Sequence, residues 1–168
     1  MKKNTFFTIC LSLFLVGGLF AQQTVYVSEA GSGDLSGSDA SNTIPTLGTA
    51  MASITSAGDK LIIVGTVTTS GQTLNSKNVA FTIEGNDATS TINGDGGTGR
   101  LFTINGATTA DVTFKNLTFS GNNTTLAGGG VLFSNNGGAT VTFDNCIISG
   151  NSVTNNQGGG AIFFANGT

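Results

Sequence analysis

Apolar and polar residues alternate in short runs through most of this 168-residue chain beyond Asp59. A period of two predicts strands that bury one face, and the Gly, Asn, Asp, Ser and Thr residues between the runs favour turns. The predicted strands cover residues 24–27, 61–64, 79–83, 101–104, 112–119, 131–133, 141–148 and 161–164. The pattern indicates a protein built almost entirely from short strands.

One segment has the period of a helix instead. Its apolar residues follow the spacing i, i+3, i+4 and i+7: Leu47, Ala50, Met51 and Ile54. Pro45 suits a first helical turn and Gly58 suits the position after a helix, so the spacing predicts a helix over residues 45–57.

Two long segments of the chain are nearly copies of each other. Residues 112–122 recur as residues 141–151, and triple glycines follow each copy, beginning at Gly128 and Gly158. A period of about 30 residues is typical of a solenoid, and units of several short strands without a helix favour a parallel β-helix over an antiparallel sandwich. The predicted coils cover residues 73–100, 101–130 and 131–160, with a fourth beginning at Ala161. A second, more closely spaced echo links residues 81–86 to residues 102–107.

Alternation within the repeat assigns side chains to the inside or the outside. The predicted inward pairs are Val112 and Val141, Phe114 and Phe143, Leu117 and Cys146, and Phe119 and Ile148. The predicted outward pairs are Thr113 with Thr142 and Lys115 with Asp144, the latter as an exposed ion pair. Asn116 with Asn145, and Asn122 with Asn151, are predicted to stack at bends, where their amides can bond along the stack.

The two ends of the predicted solenoid differ. The helix is placed to cover the N-terminal end, whereas residues 161–168 open a coil without a cap, although stacked repeats need capped ends. We therefore expect a chain truncated at its C-terminus, which self-associates through the open end. The predicted organisation is a signal peptide at residues 1–21, a strand, loop and capping helix at residues 22–58, and β-helix coils at residues 59–168.

The N-terminal segment has the features of a secretory signal. Lys2 and Lys3 precede a mostly apolar stretch from Phe6 to Phe20, with a small residue, Ala21, at the expected cut. Its removal leaves four basic residues against nine acidic ones, a formal net charge of −5. Such a charge disfavours nucleic acid and anionic membrane as partners, and we expect no membrane insertion after cleavage. Cys146 is then the single cysteine, which excludes an intramolecular disulfide.

Short motifs in the repeat resemble a known family. Gly159-Gly-Ala-Ile162 and Gly129-Gly-Val-Leu132 are similar to the GGA-[ILV] tetrapeptide of polymorphic outer-membrane protein repeats, and Phe119-Ser-Gly-Asn122 is similar to their F-x-x-N motif. In the second copy, Ile148 replaces the phenylalanine. The opening of the mature chain resembles the capping region of pectate-lyase-like right-handed β-helix proteins. The resemblance covers residues 24–168 and implies an all-β, right-handed parallel β-helix, secreted or at the outer-membrane surface of a Gram-negative-type cell.

Candidate chemistry along the chain is sparse. The absence of histidine excludes Ser-His-Asp and Cys-His catalysis, and no P-loop lysine follows the glycines at residues 94–99. We therefore name no catalytic, cofactor-binding or metal residues. Two groups of acidic residues are candidates for calcium, which are Asp34 with Asp39 and Glu84 with Asp87 and Asp95.

The expected function is that of an adhesin-like binding or scaffold passenger that recognises a glycan or a cell-surface protein without catalysis. The alternative is a polysaccharide lyase or hydrolase of the pectate-lyase-like fold acting on an acidic polysaccharide. Its candidate bases are Arg100 and Lys115, and its candidate acids are Asp95, Asp111 and Asp144. An ice- or surface-binding protein ranks last, because outward Thr-x-Thr does not recur in successive coils. The outward face is also poor in aromatic residues for stacking on sugars.

Overall fold

The structure is a computed structural model that describes residues 21–74, 77–105, 111–135, 138–155 and 158–165. Its elements in chain order are β1 (Thr24–Val27), α1 (Leu47–Ala52), β2 (Lys60–Ile63), β3 (Thr66–Thr68), β4 (Gln72–Thr73), β5 (Phe81–Gly85), β6 (Thr91–Asn93), β7 (Phe102–Asn105), β8 (Val112–Lys115), β9 (Thr118–Ser120), β10 (Asn123–Thr124), β11 (Leu132–Asn135), β12 (Val141–Asp144), β13 (Ile147–Ile148), β14 (Ser152–Val153) and β15 (Ile162–Phe164). Apart from Ala21, the predicted signal peptide lies outside the described residues, as do residues 166–168.

All strand pairs are parallel, and they form a β-helix of about three turns. Three sheets run along its axis: sheet A (β1-β2-β5-β8-β12), sheet B (β3-β6-β9-β13) and sheet C (β4-β7-β11-β15). A fourth, two-stranded sheet pairs β10 with β14. The predicted fold class is therefore confirmed.

The register along sheet C has the period of the predicted coils. Gln72, Phe102, Leu132 and Ile162 are successive partners, and each step equals the offset between the two triple glycines. Along sheet A the steps are unequal. Leu61 pairs with Ile83, and Ile83 pairs with Phe114, but the second step spans more residues than the first. The more closely spaced echo does not mark equivalent positions, because β5 lies in sheet A and β7 lies in sheet C. Coil length thus varies at the corners while the strands keep their register.

The core fills the inside of the coils as the alternation predicts. Phe102, Phe114 and Phe119 are fully buried, and their rings meet edge-on or tilted, with centroids 4.9 Å apart for Phe102–Phe114 and 5.3 Å for Phe114–Phe119. Phe143 stacks on Phe114 at 5.1 Å in the next coil. Such offset and edge-to-face contacts add to the free energy gained from burial.

The helix exists, but it is shorter than predicted. It begins after Thr46, whose side chain accepts a hydrogen bond from the Thr49 amide, and it ends before Ser53. The amides of Thr55 and Ser56 donate instead to the Asp59 carboxylate, at 2.8 Å each, which turns the chain away from the helix axis. The predicted apolar face is confirmed, since Leu47, Ala50, Met51 and Ile54 are all buried.

The N-terminal end of the coils is covered by the segment before β2. Helix α1 packs on β1, the first strand of sheet A, and Gly48 lies beside the Gln72 side chain in sheet C. The Glu29 carboxylate accepts a hydrogen bond from the backbone of Thr68, at the first strand of sheet B. The helix is therefore a cap, as expected from its position in the sequence.

The last coil differs from the one before it in exposure. Val112, Phe114, Leu117 and Phe119 are buried, whereas their partners Val141, Phe143, Cys146 and Ile148 are only half-buried. The inward direction predicted for both sets is confirmed. Cys146 occupies the core position predicted for it, and burial raises the pKa of its thiol above the usual value, against the effect of nearby backbone hydrogen bonds.

Candidate functional site

The corner between sheets A and B is longer after β5 than in the coils that follow. Six residues separate Glu84 from Thr91, whereas two separate their register partners Lys115 and Thr118. Two residues also separate Asp144 from Ile147 in the next coil. Because the flanking strands stay in register, the four extra residues after β5 project from the corner.

This projection creates an open groove of about 340 Å³, which we call the corner groove. Its wall is the loop 86–88, and its floor is formed by Asn116, Thr118, Asn145 and Ile147 from the next two coils. The volume lies at the lower end of the range for small-ligand sites, about 300–1,000 Å³.

The wall of the groove is held in one conformation. One oxygen of the Asp87 carboxylate accepts bonds from the Thr89 amide (2.8 Å) and the Thr89 hydroxyl (2.6 Å). At its base, the Ser90 hydroxyl accepts a bond from the Asp87 amide and donates to the buried Ile63 carbonyl. The Thr89 side chain, followed by its backbone amide, lowers the pKa of Asp87 below its ordinary value. The groove therefore carries a negative charge at neutral pH.

The floor of the groove contains an asparagine pair at two tight bends. Asn116 and Asn145 have φ values of 53° and 50°, a left-handed conformation that asparagine tolerates better than most residues. The Asn145 amide nitrogen donates to the Asn116 side-chain oxygen at 2.8 Å. The stacking predicted for this pair is thus confirmed. At the bend, the Asn116 carbonyl lies so close to Gly85 that a Cβ there would be 2.2 Å from it.

A column of outward side chains reaches the floor from sheet B. Thr66, Thr91 and Thr118 are successive partners, and Ile147 takes the fourth place. The Ile147 side chain is 62% exposed, so the column of hydroxyls ends in an apolar surface.

An ion cluster borders the groove on sheet A. Glu84 lies 3.8 Å from the Lys60 ammonium group and 3.6 Å from that of Lys115. The predicted ion pair of Lys115 with Asp144 is therefore wrong, although the two residues are register partners as expected. Lys115 meets Glu84 because the two residues are also register partners, across β5 and β8.

Arg100, the other candidate base, is held by structural contacts. Its guanidinium group donates to the carbonyls of Ala127 and Gly128 and lies 3.9 Å from the centre of the Phe133 ring. Phe163 stacks on Phe133 at 5.7 Å. The outward face thus holds a pair of aromatic rings, Phe133 and Phe163, that the sequence did not predict. The rings stack on each other, and Arg100 lies over Phe133. Burial lowers the pKa of Arg100.

The candidate acids are dispersed. Asp34 and Asp39 accept bonds within their own loop, from Ser36 and from Ser41 and Asn42, and Asp111 accepts from the Thr140 amide. Across the described residues, no group of three or more acidic, cysteine or histidine side chains converges on one point. The calcium hypothesis stays a prediction.

Sequence reasoning missed the groove itself. Asn145 entered as part of a structural stack, and Ile147 had no role. The signal that could have located the groove is the six-residue spacing between Glu84 and Thr91, but it is visible only once the register of β5 and β6 is known.

Comparisons with models of protein families, with curated proteins and with solved structures find no match to this chain. The resemblance to outer-membrane protein repeats and to pectate-lyase-like proteins rests on the motifs alone. Within the described part of the chain, no helix has the length and apolar character needed to cross a membrane.

Proposed function

We propose that this protein is a secreted or cell-surface binding module of the adhesin type, which holds a glycan without chemically changing it. The observation that carries the proposal is the corner groove. A rigid wall beside a floor of amide, hydroxyl and apolar groups suits a ligand that offers both hydroxyls and C–H surfaces. Location outside the cell rests on the signal-like N-terminus and on the family resemblance.

No observation favours the lyase alternative. Its candidate bases, Arg100 and Lys115, are engaged with backbone carbonyls and with Glu84 respectively. A lyase that uses such a residue needs it free to abstract a proton from the substrate. The acids proposed for it lie in separate loops and strands.

The experiment is a glycan-array screen with the secreted full-length chain, followed by titration calorimetry on the ligands that bind. We expect binding with no change in the ligand, checked by chromatography of the oligosaccharide after incubation with calcium. Calcium-dependent release of unsaturated products from an acidic polysaccharide would establish the lyase instead.

A matched pair of variants ties binding to the groove. Asn145→Gly removes the amide and keeps the left-handed bend, because glycine adopts that conformation without strain. We expect at least a tenfold loss of affinity. Thr142→Ala lies on the exposed outward face of sheet A and is not part of the groove lining, so we expect it to bind like the native protein.

A further inference from the structure

The geometry points to the ligand class of the corner groove: a glycan of neutral or amino sugars, in preference to an acidic polysaccharide. This inference rests on the proposed function and narrows it. Three properties carry it: the charges in the groove, the hydrogen-bonding groups that remain available, and the position of the exposed isoleucine.

Charge is the first determinant. Asp87 is the single ionisable residue among those that line the groove, and it lies in the wall. The two nearby lysines, Lys60 and Lys115, are drawn to Glu84 on sheet A. A carboxylate or sulfate group entering the groove would meet the Asp87 carboxylate, because no cation is among the lining residues. Like charges brought close together repel each other, and salt screens the repulsion at an exposed residue such as Asp87.

The free hydrogen-bonding groups lead to the same ligand class. The second oxygen of Asp87 has one long contact, 3.4 Å from the Asn86 amide nitrogen. Asn145 uses its amide nitrogen on Asn116, and its oxygen has no hydrogen-bond donor among the described residues. Both oxygens are acceptors and suit ligand donors, which are hydroxyl or protonated amino groups. A hydrogen bond between an amino group and a carboxylate is charge-assisted and stronger than a neutral one.

The exposed Ile147 supplies the apolar contact. Each pyranose ring has a face of C–H groups, and Ile147 lies beside the Asn145 amide on the groove floor. Thr118, its register partner in sheet B, lines the same groove with a hydroxyl group. A sugar ring over Ile147 therefore places its hydroxyls within reach of polar groups at the ring edge.

The test uses the secreted full-length chain and three soluble probes of matched length: a neutral β-glucan oligosaccharide, a chitosan oligosaccharide and an oligogalacturonate. Titration calorimetry at two salt concentrations measures each affinity. We expect the chitosan probe to bind at least tenfold more tightly than the oligogalacturonate, with the preference shrinking at high salt.

Three variants tie this preference to the groove. Asp87→Asn retains the acceptor oxygen for Thr89 and removes the charge, so it should weaken chitosan binding about tenfold and leave the neutral probe within about twofold. Ile147→Thr should weaken all probes that bind. The control is Asp95→Asn, an identical charge change at an exposed residue outside the groove lining, which should leave all affinities unchanged.

The outcomes separate this inference from the proposed function. If oligogalacturonate binds as tightly as chitosan, or if Asp87→Asn leaves the ratio unchanged, the inferred ligand class is wrong while glycan binding stands. If no glycan binds in the array or in the titrations, both the inference and the proposed function are overturned.

Discussion

The Asn122 backbone amide donates to the side-chain oxygen of Asn151, one coil further on, at 3.2 Å. The Asn122 side chain is itself 1% exposed and donates to the carbonyls of Gly99 and Gly130, at 2.9 Å each. Its own oxygen has no hydrogen-bond partner among the described residues. In the preceding coil, the Asp95 backbone amide donates to the Asn93 side chain and not to Asn122. The row of hydrogen bonds between coils therefore ends at Asn122. The predicted stacking of these two asparagines is confirmed, with the Asn122–Asn151 hydrogen bond running between successive coils.

Replacing Asn122 with alanine should destabilise the protein by about 1–3 kcal/mol, because the carbonyls of Gly99 and Gly130 both lose the Asn122 side-chain donor, and Gly130 keeps only the bond from the Leu101 amide. Chemical denaturation monitored by circular dichroism measures the change in the free energy of unfolding. The control is Asn123→Ala at the adjacent exposed position, where the side chain bonds the Ser152 hydroxyl and the cost should stay below about 1 kcal/mol. Equal losses of stability in the two variants would show that the hydrogen bonds of Asn122 stabilise the fold no more than the exposed bond of Asn123.

Gly85→Ala should destabilise the protein by about 1–3 kcal/mol, since the new methyl group would overlap the Asn116 carbonyl and force the corner to shift. The floor of the corner groove would shift with it. The midpoint temperature of thermal unfolding and the affinity for the glycan should therefore both decrease. Gly160→Ala is the matched control, because no atom lies within 4 Å of a Cβ added there, and a comparable loss at Gly160 would argue against the crowding at Gly85.

Asp59 should make stability depend on pH at the N-terminal cap. Burial alone would raise the pKa of Asp59, but the amides of Gln23, Thr55 and Ser56 and the nearby Lys77 outweigh it and hold the pKa below its ordinary value of 3.8. The carboxylate therefore stabilises the fold above that value, and this stabilisation is lost as the pH falls through the lower folded-state pKa.

Unfolding free energies of the native protein and Asp59→Asn, measured between pH 7 and pH 2, check this prediction. The variant should be less stable by about 1.5–3 kcal/mol at neutral pH, and the difference should shrink in acid. Asp95→Asn, at an exposed turn, should follow the native curve. A difference between native and Asp59→Asn that is constant with pH would show that the charge is not the cause.

The half-buried side chains of the last coil should promote association. Strands β12 and β13 form one edge of sheets A and B, and unpaired strand edges beside apolar side chains recruit further strands. We expect the sedimentation coefficient of the chain to rise with concentration. Ile148→Lys places a charge at this end and should reduce the rise, whereas Thr142→Lys, on the outward face, should not. A single species across a hundredfold range of concentration would exclude the association.

The strands and the inward residues could be predicted because the alternation of apolar and polar residues is local in sequence, and the repeated segment shows the same alternation in both of its copies. Phe114 and Phe143 have the same neighbours in sequence, so they take the same place in successive coils. The helix end was wrong because Asp59, which lies beyond the end of α1, captures the amides of Thr55 and Ser56. The predicted ion-pair partner of Lys115 was wrong because the repeat aligns Lys115 with Asp144 only. Glu84 belongs to a coil without the repeated sequence, so its position beside Lys115 could not be predicted.

The strands and the corners of this solenoid have separate roles. Every step along sheet C has the same length, while the A–B corner holds six residues in one coil and two in the next. Residues can therefore be added at that corner without disturbing the hydrogen bonds of any strand. Selection can vary the exposed residues 86–89 while Ser90 stays anchored in the core, in the way that recognition loops vary on a constant scaffold. Loops grafted at the corners after β8 and β12 would give the same scaffold further binding specificities.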